Sequence, residues 1–420
     1  MRRFIPNKLL SLYHLAFALG GSWWYGNPST KLCVIGVTGT KGKSSVSELV
    51  RTTLAGAGYK VALASTIHFR IGDAIEPNLY KMTMPGRARL QKFLRAAVDA
   101  GCTHAVIEMT SEGAKQFRHK GIALNALVFT NLQPEHIESH GSMEAYAAAK
   151  FSLAEGLVGS PKRPRIIVAN ADDAYGKKFL DIPVEIKVPF SLHDAEPYNV
   201  DDTSVRFVYH NEVFSVPLPG LFNLRNILAV LGLGVALGID IKGMKKALEH
   251  VAPIKGRAER VEAGQDFTVV VDYAHTPDSL KALFETYRNS NPDRRIIVVM
   301  GSTGGGRDQW KRPEMGRIAD TYCDVAILAN EDPYDEDPNK ILGAIAQGFS
   351  VHTPHIIFDR REAIREALRQ ACPGDVVLLT GKGTDPFIMG PRGSKEPWSD
   401  TRVAQEELHK LLGKAEDAVE

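Results

Sequence analysis

Residues 33–45 read Cys33-Val34-Ile35-Gly36-Val37-Thr38-Gly39-Thr40-Lys41-Gly42-Lys43-Ser44-Ser45, and Ser44–Ala57 follows with helical spacing. An apolar β-rich run, a glycine-bearing turn and a helix in that order describe a phosphate-binding loop. Gly39 and Gly42 allow backbone N–H groups to turn inward onto phosphate oxygens, and the N-terminus of the helix adds positive potential. Lys43 supplies a cation for phosphate charge, and the Ser44 hydroxyl is a suitable Mg²⁺ ligand. Gly39, Thr40, Lys41, Gly42, Lys43, Ser44 and Ser45 are therefore the expected nucleotide cradle. Its spacing departs from strict G-x-x-x-x-G-K-[ST], because the first glycine's place is taken by Val37, with Gly36 and Gly39 on either side.

Outward from this loop the chain alternates β-rich and helical stretches, which predicts an α/β protein with a parallel sheet covered on both faces. Expected strands are Leu32–Val37, Lys60–Ala64, Ala105–Glu108, Ala126–Thr130 and Arg165–Ala169, and Arg87–Ala100 has helical spacing. After a glycine-rich stretch, Pro219–Gly238, and the turn Pro253-Ile254-Lys255-Gly256, a second alternation begins. Its expected strands are Thr268–Asp272, Arg295–Met300, Val325–Leu328, His355–Phe358 and Asp375–Leu379. The predicted organisation is a short apolar and aromatic segment (1–30), a central domain with a P-loop NTPase-like parallel sheet (31–252) and a Rossmann-like C-terminal domain (253–420).

Composition narrows the function. Lys plus Arg number 51 and Asp plus Glu 49 in 420 residues, a net charge of +2 that gives no electrostatic case for nucleic acid. Cys33, Cys102, Cys323 and Cys372 form no C-x-x-C pair, which argues against a zinc ribbon or a secreted disulfide framework and for the cytosol. Arg2, Arg3 and Lys8 flank an apolar stretch, Leu9–Tyr25, that Ser11 and His14 interrupt and no clean cleavage site follows. Two readings stand for it. One is a helix packed on the body of the protein; the other is an interfacial helix with Trp23, Trp24 and Tyr25 at headgroup level, placing the chain at the inner face of a membrane.

Further motifs follow the loop in order: Ala105-Val106-Ile107-Glu108-Met109-Thr110-Ser111, Thr130-Asn131-Leu132-Gln133-Pro134-Glu135-His136, and Tyr146-Ala147-Ala148-Ala149-Lys150. Phe222-Asn223-Leu224-Arg225-Asn226, Gly256-Arg257-Ala258-Glu259 and Val271-Asp272-Tyr273-Ala274-His275-Thr276-Pro277-Asp278 come next. With Gly301–Asp308 and Lys311-Arg312-Pro313, this set resembles the Mur ligases and their folylpolyglutamate synthetase relatives, most of all the tripeptide synthetases of the MurE kind.

The resemblance implies an ATP- and Mg²⁺-dependent ligase of peptidoglycan precursor synthesis, which joins an amino acid to a muramoyl-dipeptide-type acceptor through an acyl phosphate. It implies catalytic roles for Lys43, Glu108, His136, Lys150 and Arg257, with Lys150 carbamoylated. Ser44, Glu108 and His136 would hold metal, while Asn223, Asn226, Arg257 and Asp272 would bind ATP. Thr83, Thr110, Ser111, Gln116 and Arg118 would bind the acceptor, where Glu112 replaces a histidine of the family pattern. For the amino acid, the family's D-N-P-R aligns with Glu331-Asp332-Pro333-Tyr334, and G-K-G-H-E with Gly381-Lys382-Gly383-Thr384-Asp385. Glu331, Asp332, Tyr334, Gly381 and Asp385 are the expected contacts. With Tyr334 in place of the arginine, a second carboxylate on the amino acid lacks its bidentate partner, so diaminopimelate specificity does not transfer. The acidic run 331–337 suits a cationic side chain or is a solvated loop.

Only about 30 residues precede the loop, whereas full-length tripeptide synthetases carry an N-terminal domain for the uridine diphosphate. Three explanations stand: recognition through the muramoyl-peptide end alone, a separate protein supplying that domain, or a lipid-linked acceptor. Two further readings remain beside the muropeptide one. The first is a folate-type or poly-γ-glutamate ligase; the second is a nucleotide-binding subunit, like the MurT component of lipid II amidation, that needs a glutaminase partner.

Overall fold

A computed structural model describes residues 7–414 apart from Lys81, Arg87 and His136, and of residues 7–10 the backbone alone. The chain divides into two compact units. One runs to Asn199 and takes in Arg206–Val216 and Phe222–Val251; the other holds Val200–Val205, Pro217–Leu221 and the chain from Ala252 onward.

The first unit is built on eight strands: β1 (Cys33–Thr38), β2 (Val61–Ala64), β3 (His68–Ile71), β4 (Ala74–Pro77), β5 (His104–Glu108), β6 (Ala126–Phe129), β7 (Ile166–Asn170) and β8 (Ile186–Phe190). Their order is β4-β3-β2-β5-β1-β6-β7-β8, parallel from β2 to β8, with β3 and β4 added antiparallel at one edge. The near-continuous Val, Ile, Leu and Ala runs of β1, β2, β5, β6 and β7 follow from cover on both faces. The helices are α1 (Asn7–Trp24), α2 (Lys43–Gly56), α3 (Arg89–Asp99), α4 (Ser111–Lys115), α5 (Ile137–His140), α6 (Met143–Val158), α7 (Gly176–Leu180), α8 (Leu221–Ala236) and α9 (Ile241–Glu249). Leu94 and Ala97 of α3 and Leu153 and Leu157 of α6 belong to one core with Ile107, Leu127, Phe129 and Ile167 of the sheet. Register decides where chemistry collects. Val37 pairs with Glu108 and Thr38 with Phe129, so the turn after β1 and the chain leaving β5 and β6 meet at one sheet edge.

The five expected strands of this unit are present within a residue or two of their predicted ends. The hairpin β3–β4, strand β8 and a small sheet of β9 (Tyr198–Val200), β10 (Val205–Tyr209) and β11 (Glu212–Val216) were not legible in advance. All four residues of β4 are exposed, so it carries no apolar alternation and owes its form to pairing with β3. Much of the stretch Pro219–Gly238 is the helix α8, apolar nearly all round because it is buried. Gly234 serves packing there: a Cβ would stand 2.1 Å from Met244 Sδ.

The second unit is a six-stranded sheet of β12 (Glu259–Arg260), β13 (Thr268–Asp272), β14 (Ile296–Met300), β15 (Val325–Leu328), β16 (His355–Ile356) and β17 (Val376–Thr380), in the order β12-β13-β17-β14-β15-β16. All pairs are parallel except β12 with β13. The strand expected over His355–Phe358 is shorter, ending at Ile356. Helices α10 (Pro277–Ser290), α11 (Lys311–Tyr322), α12 (Pro338–Ala346), α13 (Arg360–Gln370) and α14 (Asp400–Leu411) accompany the sheet, with a hairpin of β18 (Phe387–Met389) and β19 (Lys395–Pro397). Residues of α13 and α14, among them Ile364, Val403 and Leu408, share a core with Val271, Ile297 and Leu379 of the strands.

Candidate active site

The turn after β1 is closed from both sides. Gly39 has φ +150° and Gly42 φ +81°, and each lies against a side chain: a Cβ would come within 1.9 Å of Thr130 Oγ1 at Gly39 and 2.3 Å of Asn226 Oδ1 at Gly42. Both glycines are therefore required by their neighbours as well as by backbone conformation. Thr40 N–H donates to Asn131 O (2.8 Å), Lys41 N–H to Asn131 Oδ1 (2.8 Å) and Thr130 Oγ1 to Lys41 O (2.6 Å), tying the loop to the chain after β6. Lys41 Nζ meets the buried Glu135 at 3.1 Å, and Lys43 Nζ donates back to Thr40 O at 2.9 Å. Asn226 Nδ2 donates to Asn223 Oδ1 (3.3 Å), so both predicted asparagines of α8 stand beside the loop.

Glu108, at the end of β5, faces the first turn of α2. Ser44 Oγ lies 3.2 and 3.1 Å from its two oxygens, and Thr66 donates to it through N–H (2.8 Å) and Oγ1 (2.9 Å). Thr66 Oγ1 is in turn 2.7 Å from Thr83 Oγ1. A hydroxyl and a carboxylate oxygen about 3 Å apart have the spacing of neighbouring ligands on an octahedral Mg²⁺ with ~2.1 Å bonds. The oxygen donor set thus fits the expected cation. Among the described residues no three His, Cys, Asp or Glu gather as a metal site, and His136, the third expected ligand, lies outside the described residues.

Lys150, on α6, is wholly buried. Its Nζ donates to Gly39 O at 2.6 Å and lies 4.8 Å from the ring centroid of Tyr146, whose hydroxyl is 3.0 Å from Thr40 Oγ1. Burial, reinforced by Lys43 and Lys41 and opposed by Glu135, drives the Lys150 pKa well below the ordinary lysine value. That favours a neutral, nucleophilic amine against the phosphate loop.

Beyond Glu108 the chain enters α4. Thr110 caps it, its Oγ1 accepting from Gly113 N–H at 3.1 Å, so one lone pair of the expected acceptor ligand already has a structural duty. Ser111 is buried, with Oγ 3.1 Å from His140 Nε2; Glu112 stands 3.5 Å from the same nitrogen and accepts from Ser139 Oγ. His140 was missed by the motif reading, since a lone histidine in a four-residue helix carries no spacing signal. Desolvation lowers its pKa, with Glu112 opposing. Arg118 follows α4 in a turn, its guanidinium donating to Met84 O and to Gln116 Oε1. Its Nε is buried without a hydrogen-bond partner.

The remaining predicted residues belong to the second unit. Asp272 Oδ2 accepts from Ala258 N–H and Oδ1 from Ala274 N–H, both at 2.7 Å, which fixes the turn bearing Arg257 against the loop after β13. The Arg257 guanidinium lies 4.5 Å from the Tyr273 ring centroid. Asp332 Oδ1 accepts from Lys382 Nζ (2.9 Å) and Met389 N–H (2.7 Å), and Lys382 also reaches Asp385 at 3.4 Å. Burial pulls the Lys382 pKa down, but Asp385, Asp332 and Glu331 outweigh it and leave it raised. Glu331 is buried, accepting from Thr303 Oγ1 at 2.9 Å, and burial raises its pKa. Gly381, φ +102°, leaves room for it: a Cβ there would be 2.3 Å from Glu331 Oε2. Tyr334 has φ +53° and lies beneath Arg307, 5.2 Å from ring centroid to guanidinium. Glu336 pairs with the buried Arg312 at 2.6 and 2.9 Å, and Asp337 caps α12. The acidic run is thus a built set of partners, with Glu331 and Asp332 buried inside it.

Comparison with known proteins bears on the family and the fold. Residues 37–234 match the Mur ligase middle domain and residues 256–383 the Mur ligase glutamate ligase domain. A UDP-N-acetylmuramyl-tripeptide synthetase of Roseiflexus sp. (strain RS-1) is 37% identical, the match covering 97% of this chain and 83% of that protein. The UDP-N-acetylmuramoyl-L-alanyl-D-glutamate–2,6-diaminopimelate ligase of Caldanaerobacter subterraneus subsp. tengcongensis is 35% identical, over 94% of this chain and 81% of that one. A solved diaminopimelate ligase superposes with a TM-score of 0.63 at 28% identity, covering 94% of this chain and 83% of that one. Mycobacterium tuberculosis folylpolyglutamate synthase complexed with ADP reaches 0.73 over 97% and 95% at 17% identity, a likeness of fold. With both Mur ligase domains matched and a relative 37% identical over most of its length, the chain belongs to the Mur ligase family.

Proposed function

We propose that this protein is an ATP-dependent ligase adding an amino acid to a muramoyl-dipeptide-type acceptor in peptidoglycan precursor synthesis, acting in the cytoplasm. The observation that carries the reading is the joint placement of Lys43, Ser44, Glu108 and Lys150 around one phosphate loop. The acceptor carboxylate attacks the γ-phosphorus of ATP, forming an acyl phosphate and ADP; the amine of the amino acid then attacks the acyl carbon, and phosphate leaves. Lys43 and the loop N–H groups would hold the transferring phosphoryl group. Ser44 and Glu108, with His136, would hold Mg²⁺, which supplies charge neutralisation at the phosphates. Lys150 in its neutral form is the state that takes up CO₂, and the carbamate would bring an anion to the metal side of the loop. Ser111, Gln116 and Arg118, with Thr83 and Thr110, are the proposed acceptor contacts. Asn223, Asn226, Arg257 and Asp272 are proposed for the nucleotide.

For the amino acid we assign Glu331, Asp332, Tyr334, Gly381 and Asp385, and expect no diaminopimelate preference, since no guanidinium stands at 334. The test is ADP release by the purified protein with UDP-linked and lipid-linked muramoyl-dipeptide, offered lysine, diaminopimelate and other amino acids singly, with products weighed. An amide product with one amino acid is expected. ATP binding without turnover on either acceptor form would set the reading aside.

A further inference from the structure

Helix α1 is amphipathic in the opposite sense to an ordinary surface helix. Ser11, His14, Leu15, Ala18, Gly21, Ser22 and Tyr25 recur at helical spacing and form its inner side, with Ala18, Gly21 and Ser22 buried. Small residues make that contact close. A Cβ on Gly21 would stand 2.4 Å from Ala88 Cβ, one on Gly121 would stand 2.8 Å from Ser22 Cβ, and Ser22 Oγ donates to Gly121 O at 2.8 Å. The large apolar residues point outward instead. Leu12, Tyr13, Phe17, Leu19, Trp23 and Trp24 are between 43% and 77% exposed, and only Ala16 and Gly20 lie among them. At 100° per residue all eight fall on a single arc that holds no polar side chain except the Tyr13 hydroxyl. Core packing does not explain leaving two adjacent tryptophans in water.

We propose that this face docks on an anionic lipid surface. Charge agrees: no Asp or Glu precedes Glu48, whereas Arg2, Arg3, Lys8 and Lys31 lie in or beside the helix in sequence. Trp23 and Trp24 are the residue type that favours the headgroup boundary, and no helix among the described residues is long and apolar enough to cross a membrane, so the helix lies in the interface. Tyr13 and Phe17 also line a small cleft with Pro85, Gln116 and Arg118, so docking brings the residues proposed for the acceptor close to the bilayer. The docking itself does not depend on the ligase reading.

The full-length protein is to be sedimented with vesicles of phosphatidylglycerol and phosphatidylcholine, and of phosphatidylcholine alone. Brominated lipids would report the depth of Trp23 and Trp24. Wild type is expected to partition onto the anionic vesicles with quenched tryptophan emission, and Trp23→Ser/Trp24→Ser to lose at least ~10-fold in partitioning while its melting temperature is unchanged. Wild type failing to bind anionic vesicles, or the double variant binding as wild type does, would overturn the proposal. Sedimentation equilibrium without lipid closes the other route: a dimer abolished by the same double variant would assign the face to a second copy.

Discussion

Lys150 shows how much one side chain's surroundings decide. On the exposed side of a helix it would be an ordinary cation; buried against Gly39 O, with Lys43 and Lys41 near, its charged form is disfavoured. Lys150→Ala is expected to lower turnover by at least ~100-fold, the scale of losing one charged group at a phosphoryl-transfer site. Partial recovery with short carboxylic acids would separate a lost anion from a lost fold, and wild-type rates in the variant would rule the carbamate out. A second buried base acts on stability. His119 is buried with neither ring nitrogen hydrogen-bonded, and burial, with Lys120, pushes its pKa down to about 4. The unfolded chain, near the ordinary histidine value of about 6.5, therefore binds the proton more readily. The contribution is intact above that value and is lost as pH falls from about 6.5 toward 4, on the order of 3 kcal/mol. Urea midpoints across this window should drop for wild type and change less for His119→Leu.

At the scale of elements, the unit that matters is strand, turn and helix together. β1 is held between β5 and β6, and the turn leaving it must pass under Thr130. Gly39→Ala would place a methyl in the Thr130 hydroxyl at a φ that side chains rarely adopt. A loss of ~2 kcal/mol in stability together with weakened ATP binding is expected. Gly20→Ala is the contrasting case. Nothing lies within 4 Å of its Cβ position and the backbone is helical, so chemical denaturation should find it neutral or stabilised by up to ~1 kcal/mol.

At the scale of the whole molecule, nucleotide binding and folding are linked. Mg-ATP at ~100 times its dissociation constant should stabilise the protein by about 2.7 kcal/mol. Lys43→Ala should keep the fold, since its ammonium makes a loop hydrogen bond to Thr40 O on the surface of the cradle, yet lose that thermal shift and the turnover with it. An undiminished shift would remove Lys43 from the nucleotide site. The sequence by itself determined the fold class, most of the central strands and the phosphate loop, because buried parallel strands are read as unbroken apolar runs and the loop is a contiguous motif. Contiguity also made Glu108, Lys150, Asp272 and the 331–334 segment legible as motifs. Only the tertiary structure decided what those residues meet: that Gly39 and Gly42 yield to Thr130 and Asn226, that Ser111 meets His140, and that Glu331 lies beside Gly381. It also decided that α1 turns its tryptophans outward. Periodicity marks an apolar arc on a helix, but which arc faces the protein depends on the neighbour, and here the small side chains of Gly21 and Ser22 gave the closer fit to Ala88 and Gly121.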